Sequence, residues 1–218
     1  MKPYYEQDGI TIYHGDCREV LPTLAPVDLL LTDPPYGIGE AAGRNKSRGL
    51  LAASKDYGNA NWDDMPPARW LLEQAIDKAK YAIVFGGNYF GLPPSSCWLV
   101  WDKDNGATDF ADCELAWTNM PTAVRRVRWR WQGMLQENMA DKEPRFHPTQ
   151  KPEAVMAWCL TKAPDGVRTV LDPWMGSGTT LVAAKKAGLT AIGIEREEKY
   201  CEIAAKRLAQ GVLFGATQ

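Results

Sequence analysis

The sequence predicts a doubly wound α/β fold, with helices on both faces of a mixed and mostly parallel sheet, from three observations. Short β-branched or leucine-rich runs recur along the chain, several of them apolar on consecutive positions, as strands covered on both faces must be. Amphipathic stretches of helical period lie between them. Strand, helix and strand follow one another directly between residues 170 and 194, the pattern of a right-handed crossover. The 218 residues suit one such domain over residues 1–218, and 45% hydrophobic with 24% charged residues excludes collagen-like, disordered and disulfide-scaffold chains. A chain of this length hides roughly 70% of its surface in a single core.

In order along the chain, strands are expected at 10–13, 28–32, 82–85, 98–101, 114–117, 169–172 and 191–195. The helix expected over 67–80 sets Leu71, Leu72, Ala75, Ile76 and Ala79 on one stripe, with a proline near its first turn, where a missing N–H is harmless. A second, over 152–163, repeats the stripe with Val155, Met156, Cys159 and Leu160. Helices over 179–187 and 197–210 end at Gly188 and Gly211, residues suited to a left-handed cap. Two stretches resist this pattern. Residues 37–61 contain Gly37, Gly39, Gly43, Gly49 and Gly58 with Arg44, Lys46 and Arg48 and show no period, and so long a loop in a compact domain is functional or mobile. Residues 118–146 contain Val124-Arg125-Arg126-Val127-Arg128-Trp129-Arg130-Trp131, in which Arg126, Arg128 and Arg130 share one face of an extended strand.

Twenty-five Lys and Arg against 27 Asp and Glu give a net charge of -2, so the whole chain exerts no pull on a polyanion or an acidic membrane. Any nucleic-acid contact must come from a local patch. Residues 118–146 provide one, with Arg125, Arg126, Arg128, Arg130, Lys142 and Arg145 against Glu137, Asp141 and Glu143, six minus three or a local +3. Its bland alternative is a solvated edge strand guarded by charge. The five cysteines are odd in number and at least 16 residues apart, which speaks against a disulfide framework, and with only two histidines no metal site is expected. No run nears the ~20 apolar residues of a membrane span, and no signal-peptide core precedes residue 13, so a reduced, cytoplasmic protein is expected.

Two turns carry chemistry. Asp172-Pro173-Trp174-Met175-Gly176-Ser177-Gly178-Thr179-Thr180 follows a strand and opens a helix, so its glycines let a nucleotide-like ligand approach the backbone. It lacks the Gly-Lys-Ser/Thr ending of a phosphate loop, which argues against ATP. A dinucleotide and a smaller adenosyl ligand remain. Glu195, at the end of the next strand, would receive ribose hydroxyls in either, and Leu181 in place of a third glycine favours the ligand without phosphates. The other turn, Asp33-Pro34-Pro35-Tyr36, ends a buried strand. Its two prolines remove backbone donors and leave the Asp33 carboxylate and the carbonyls as acceptors, suited to the two N–H bonds of an exocyclic amine, with Tyr36 as a stacking face.

Together with His147-Pro148-Thr149-Gln150-Lys151-Pro152, and in this order, these turns resemble the permuted, β-type DNA amino-methyltransferases that use S-adenosyl-L-methionine. The likeness runs from Ile10 to Leu208 and implies a Rossmann-like methyltransferase fold with a small target-recognition insertion at 118–146. It departs at Trp174, where the family usually has Phe. The resemblance implies catalytic roles for Asp33, Pro34 and Tyr36. It implies cofactor contacts for Asp16, Asp172, Trp174, Gly176, Gly178, Thr179 and Glu195, with Lys151 adding charge there or at the DNA. Arg44, Lys46 and Arg48 of loop 37–61, with Arg125, Arg126, Arg128 and Arg130, are the DNA-contacting candidates. Asp16 has an alternative as a helix cap, and His147 is expected to be structural. Double-stranded DNA is the implied partner, with a homodimer and a cognate restriction nuclease as further expectations. Asp33 favours adenine N6 over cytosine N4, because N4 enzymes more often carry Ser there. The competing classes are a non-catalytic nucleic-acid binder and a nicotinamide-dependent oxidoreductase.

Overall fold

The computed structural model describes residues 1–37, 66–106, 111–132, 135–147 and 149–209. In chain order the strands are β1 (Tyr5–Gln7), β2 (Ile10–His14), β3 (Val27–Thr32), β4 (Ala79–Phe85), β5 (Trp98–Asp102), β6 (Cys113–Thr118), β7 (Arg125–Arg128), β8 (Trp131–Gln132), β9 (Leu135–Gln136), β10 (Thr169–Asp172) and β11 (Thr190–Glu195). The helices are α1 (Cys17–Val20), α2 (Arg69–Asp77), α3 (Glu153–Leu160), α4 (Thr179–Lys186) and α5 (Glu198–Ala209). Among the described residues, nine strands form one sheet in the order β1-β2-β11-β10-β3-β4-β6-β5-β7. Only β1 and β6 run against the rest, so the sheet is mixed and mostly parallel.

Alternation along β3 explains the layers. Leu29 and Leu31 point into a core shared with α3, α4 and α5, through Val155, Met156, Leu181 and Ala204. Leu30 points to the opposite face, where Val20 of α1 and Leu71, Leu72 and Ala75 of α2 cover it. Each fully buried leucine contributes about 1.5–3 kcal/mol relative to exposure, which is why the central strand reads as an unbroken apolar run. All seven expected strands and all four expected helices are present. The helix expected over 67–80 stops at Asp77, because Ala79 pairs with Val27 and begins β4. The elements not expected, β1, β8 and β9, are two or three residues long and too short to carry a period, and the short α1 follows the helix cap that was the alternative reading of Asp16.

The strand order places the site. From β10 the chain passes through α4 to β11 on one side, and from β3 it proceeds through α2 to β4 on the other, with the two helices on opposite faces. β10 and β3 are nevertheless neighbours, pairing Val170 with Leu29 and Leu171 with Leu30. Connections that diverge from adjacent parallel strands leave a crevice beyond their carboxyl ends, the usual ligand position of such sheets. Within residues 118–146 the described residues divide between the main sheet and a separate two-stranded antiparallel sheet of β8 and β9. Thr118 is the last residue of β6, and β7 extends the main sheet by pairing in parallel with β5. Loop 37–61, with Arg44, Lys46 and Arg48, lies outside the described residues apart from Gly37. No helix among the described residues is long and apolar enough to cross a membrane.

Candidate active site

A cavity of about 1450 Å³ opens at the carboxyl ends of β3 and β10, and both chemical turns line it. On the β10 side, Asp172 is buried, and Oδ1 accepts hydrogen bonds from the Thr32 hydroxyl at 2.7 Å and the Trp174 N–H at 3.2 Å. The first bond ties the two strand ends together directly. Burial pushes the Asp172 carboxyl up to about 6. Gly176 donates its N–H to Glu195 Oε2 at 3.0 Å, and Glu197 donates to Oε1 at 2.8 Å, so Glu195 clasps the glycine loop while its carboxyl is raised by burial. Gly178 caps α4 at φ +78, and a Cβ there would meet the Ala204 Cβ at 2.7 Å. Only glycine permits both the left-handed backbone and the close approach of α5.

Two braces of this loop were not legible in the sequence. Arg207 of α5 donates to the Ser177 carbonyl at 2.7 Å and to Thr179 Oγ1 at 3.2 Å. Gln150 accepts from the Ser177 hydroxyl at 3.2 Å and from the Phe146 N–H at 2.9 Å. Asp16, on the cavity wall, is the N-cap of α1, accepting from the Arg18 N–H at 2.9 Å, and the Arg18 guanidinium holds its carboxyl below the usual range. Trp174 is half-buried against the Leu30 face of the core.

On the β3 side, Asp33 sits at one end of an alternating chain of charges. Its Oδ1 accepts from the Tyr36 hydroxyl at 2.6 Å and its Oδ2 from Lys151 Nζ at 2.6 Å. Lys151 Nζ also lies 3.0 Å from Glu114 Oε2, and Lys103 Nζ lies 2.5 Å from Glu114 Oε1. Burial raises the Asp33 carboxyl against the opposing pull of Lys151, whereas the two lysines outweigh burial at Glu114 and bring it down to about 2. Lys151, expected to add charge at the cofactor or the DNA, lines the cavity and pairs there with Asp33 and Glu114. Neither Glu114 nor Lys103 was singled out in the sequence.

Tyr36 lines the same corner of the cavity. It lies against Gly86, whose φ is +66 and where a Cβ would overlap the ring at 2.2 Å, and it stacks on Tyr89 at 5.1 Å and 22°. One face of the expected platform is therefore already covered, and Tyr89, 53% exposed, forms the outer ring of the pair. His147 packs edge-on against Tyr200 at 4.5 Å, and burial, with Lys151 nearby, lowers it to about 3, so it is neutral near pH 7.

The arginine strand is found at the edge of the sheet, with Arg125, Arg126, Arg128 and Arg130 exposed. Three of the four are ion-paired. Arg126 lies 3.6 Å from Asp102, and Arg128 and Arg130 both pair with Asp104. The tryptophans interleaved with them belong to the core: Trp131 is buried, and the Trp129 carbonyl accepts from Trp101 Nε1 at 2.9 Å.

A family model described as DNA methylase matches residues 93–206, just over half of the 218. The chain is 25% identical over 260 residues to the Type II methyltransferase M2.LlaDCHI of Lactococcus lactis subsp. cremoris, with 98% of this chain and 94% of that protein covered. It is 29% identical over 250 residues to the Type II methyltransferase M.HinfI of Haemophilus influenzae, with 92% and 68% covered. Its fold is similar to the crystal structure of the M1.HpyAVI–SAM complex, with a TM-score of 0.58 at 24% identity over 91% of this chain and 98% of that one. It is similar also to the PvuII DNA methyltransferase (cytosine-N4-specific), with a TM-score of 0.62 at 16% identity over 97% and 90%. With the family model spanning the glycine loop and full-length relatives spanning the Asp33 turn, the chain belongs to the DNA methylase family, S-adenosylmethionine-dependent methyltransferases that act on amino groups of DNA.

Proposed function

We propose that this chain transfers a methyl group to the exocyclic N6 of an adenine flipped out of duplex DNA. The observation that carries the reading is the pairing of β3 with β10, which brings the Asp33 turn and the Asp172 glycine loop to one cavity. The β10 side fits the cofactor. S-adenosylmethionine supplies an electrophilic methyl on a sulfonium, and its ammonium and sulfonium together outnumber its one carboxylate. The carboxylates of Asp172, Glu195 and Glu197 on this wall suit that charge, while the N–H groups at the start of α4 suit the carboxylate. We assign Asp172 to the ammonium, Gly176, Gly178 and Thr179 to the methionine end, Trp174 to an aromatic contact, Glu195 to the ribose and Asp16 to the adenine amine.

The chemistry at Asp33 follows from the weakness of the nucleophile. The amine lone pair is delocalised into the base. Acceptors on its two N–H bonds let the nitrogen become pyramidal as its bond to the methyl carbon forms and the carbon–sulfur bond breaks. The Asp33 carboxylate and the Pro34 carbonyl are those acceptors. Each Asp33 oxygen accepts one hydrogen bond already and has a lone pair left for the base. Methyl transfer acidifies the nitrogen, and a carboxylate is then a competent proton acceptor. The stacked Tyr36–Tyr89 pair receives the flipped base on its outer ring, offsetting a few kcal/mol of unstacking.

Duplex DNA is gripped by Arg125, Arg126, Arg128 and Arg130 and by Arg44, Lys46 and Arg48 of loop 37–61, with 118–146 as the recognition segment of the single domain. The same reading puts the protein in the cytoplasm and carries a homodimer and a cognate restriction nuclease as expectations. The test is digestion to nucleosides of DNA incubated with the protein and S-adenosylmethionine carrying a labelled methyl. Label in N6-methyldeoxyadenosine is expected. Label in N4-methylcytosine would assign the other base, and no label in any DNA would contradict an enzyme.

A further inference from the structure

We propose that Lys151 is a positioning residue for the methyl transfer: clamped between Glu114 and Asp33, it fixes the buried Asp33 carboxylate and keeps it charged. This rests on the reading of Asp33 as the residue that holds the target amine. Three features of the geometry support it. Lys151 is 7% exposed and spans both carboxylates, 2.6 Å from Asp33 Oδ2 and 3.0 Å from Glu114 Oε2. Its ammonium also faces two aromatic rings, with Nζ 5.4 Å from the centroids of both Tyr36 and Phe85, so few waters can solvate it in place of the carboxylates. Glu114 is in turn anchored by Lys103, which makes the clamp a sequence of alternating charges from β5 and β6 through Lys151 to the turn after β3.

A carboxylate buried at a sheet end, with another carboxylate behind it, would take up a proton in the absence of a cation. A protonated Asp33 would lose an acceptor site to its own hydrogen and could no longer stabilise charge growing on the amine. The groups facing Asp33 are Tyr36 from its own turn, Lys151 from the segment before α3, Glu114 from β6 and Asp172 from β10. Tyr36 is raised by burial and stays a donor, and Glu114 and Asp172 are both acids. Lys151 is therefore the one cation placed to hold the Asp33 charge among these groups. His147 is not a substitute, because it is neutral.

The test is the pH profile of single-turnover methyl transfer by the full chain, from about pH 7 to about pH 9, above the range in which Asp172 titrates, with unmethylated genomic DNA and labelled S-adenosylmethionine. Binding of the cofactor alone checks folding. The wild type is expected to show a flat profile across this range. Lys151→Gln is expected to bind cofactor, to be slower at pH 7 by about tenfold or more, and to regain rate with rising pH along a single-proton limb. Lys151→Arg is expected to restore the flat profile. Glu114→Gln loosens the clamp and keeps the cation, so its rate is expected to fall with the profile still flat. If Lys151→Gln does not fold, a near-wild-type rate in Lys151→Arg beside a slowed Glu114→Gln, both with flat profiles, supports the proposal in its place, and a Lys151→Arg as slow as or slower than Glu114→Gln, or a pH limb in either, overturns it. A pH-independent loss in Lys151→Gln, an unchanged rate, or no rescue by arginine would overturn the proposal. Asp33→Asn separates the two readings: transfer retained there at every pH would sink the role of Asp33 itself rather than that of Lys151.

Discussion

Asp172 ends β10 in the core, satisfied by the hydroxyls of Thr32 and Thr180 and by the Trp174 N–H, and makes no ion pair among the described residues. Burial raises its carboxyl from 3.8 to about 6, which means that the folded state holds the proton more tightly than the unfolded chain. Its contribution to stability is therefore full below about pH 4 and is lost as pH rises through 6. Asp172→Asn is expected to be more stable than the wild type by roughly 2–3 kcal/mol at pH 8, with the gain shrinking toward pH 4, and to lose affinity for S-adenosylmethionine. Urea unfolding at the two pH values checks the sign, and a gain independent of pH would contradict it. At this scale the legible residues were those whose chemistry is local. Asp33 and Asp172 stand beside prolines and glycines that announce a shaped turn. Glu114, Lys103 and Arg207 announce nothing, because their partners are supplied by the fold, and Gln150 stands in a motif whose spacing does not name its partners. The Lys151–Asp33 bond spans 118 positions, and no spacing rule reaches that far.

The arginine strand β7 shows the difference between an element and its environment. Its extended conformation and its alternation were legible from Arg125 to Trp131, but the acids opposite it were not. Asp102 lies on the paired strand β5, and Asp104 follows it with φ +53. An edge strand studded with charge resists pairing with other chains, and the same arginines can exchange a carboxylate for a phosphate when duplex DNA approaches. Asp104→Asn releases Arg128 and Arg130 from that competition. Its affinity for duplex DNA is expected to rise by about two- to fivefold at low salt, with a steeper salt dependence, as read by fluorescence anisotropy in about 50 and about 200 mM salt. Unchanged affinity and slope would place β7 away from the phosphates. Trp129, just after β7, and Trp131, in β8, pack on the core for a related reason. β5 and β7 pair in parallel at the end of the sheet, so one face of β7 must cover Trp101 and the Leu99 core.

Across the whole molecule, the order of strands accounts for a site that two separated turns could not make alone. Local periods foretold strands and helices, and the recurrent crossover foretold the layers. The placement of β10 beside β3 depended instead on the three motifs together, and the reversal of β6 on neither. That reversal carries Glu114 to the rear of the Asp33 turn, so the topology that builds the cavity also supplies its charges. The net charge of -2 leaves DNA attraction to a face rather than to the whole chain. The central claim is a division of labour between adjacent strand ends: one side of the cavity holds the methyl donor and the other holds the amine. Asp33→Ala, assayed on one preparation for cofactor affinity by calorimetry and for labelled methyl transfer to DNA, tests it most directly. Cofactor affinity within about twofold of the wild type, with transfer reduced by about a thousandfold or more, is the predicted result. Loss of cofactor binding, or transfer at the wild-type rate, would contradict the account.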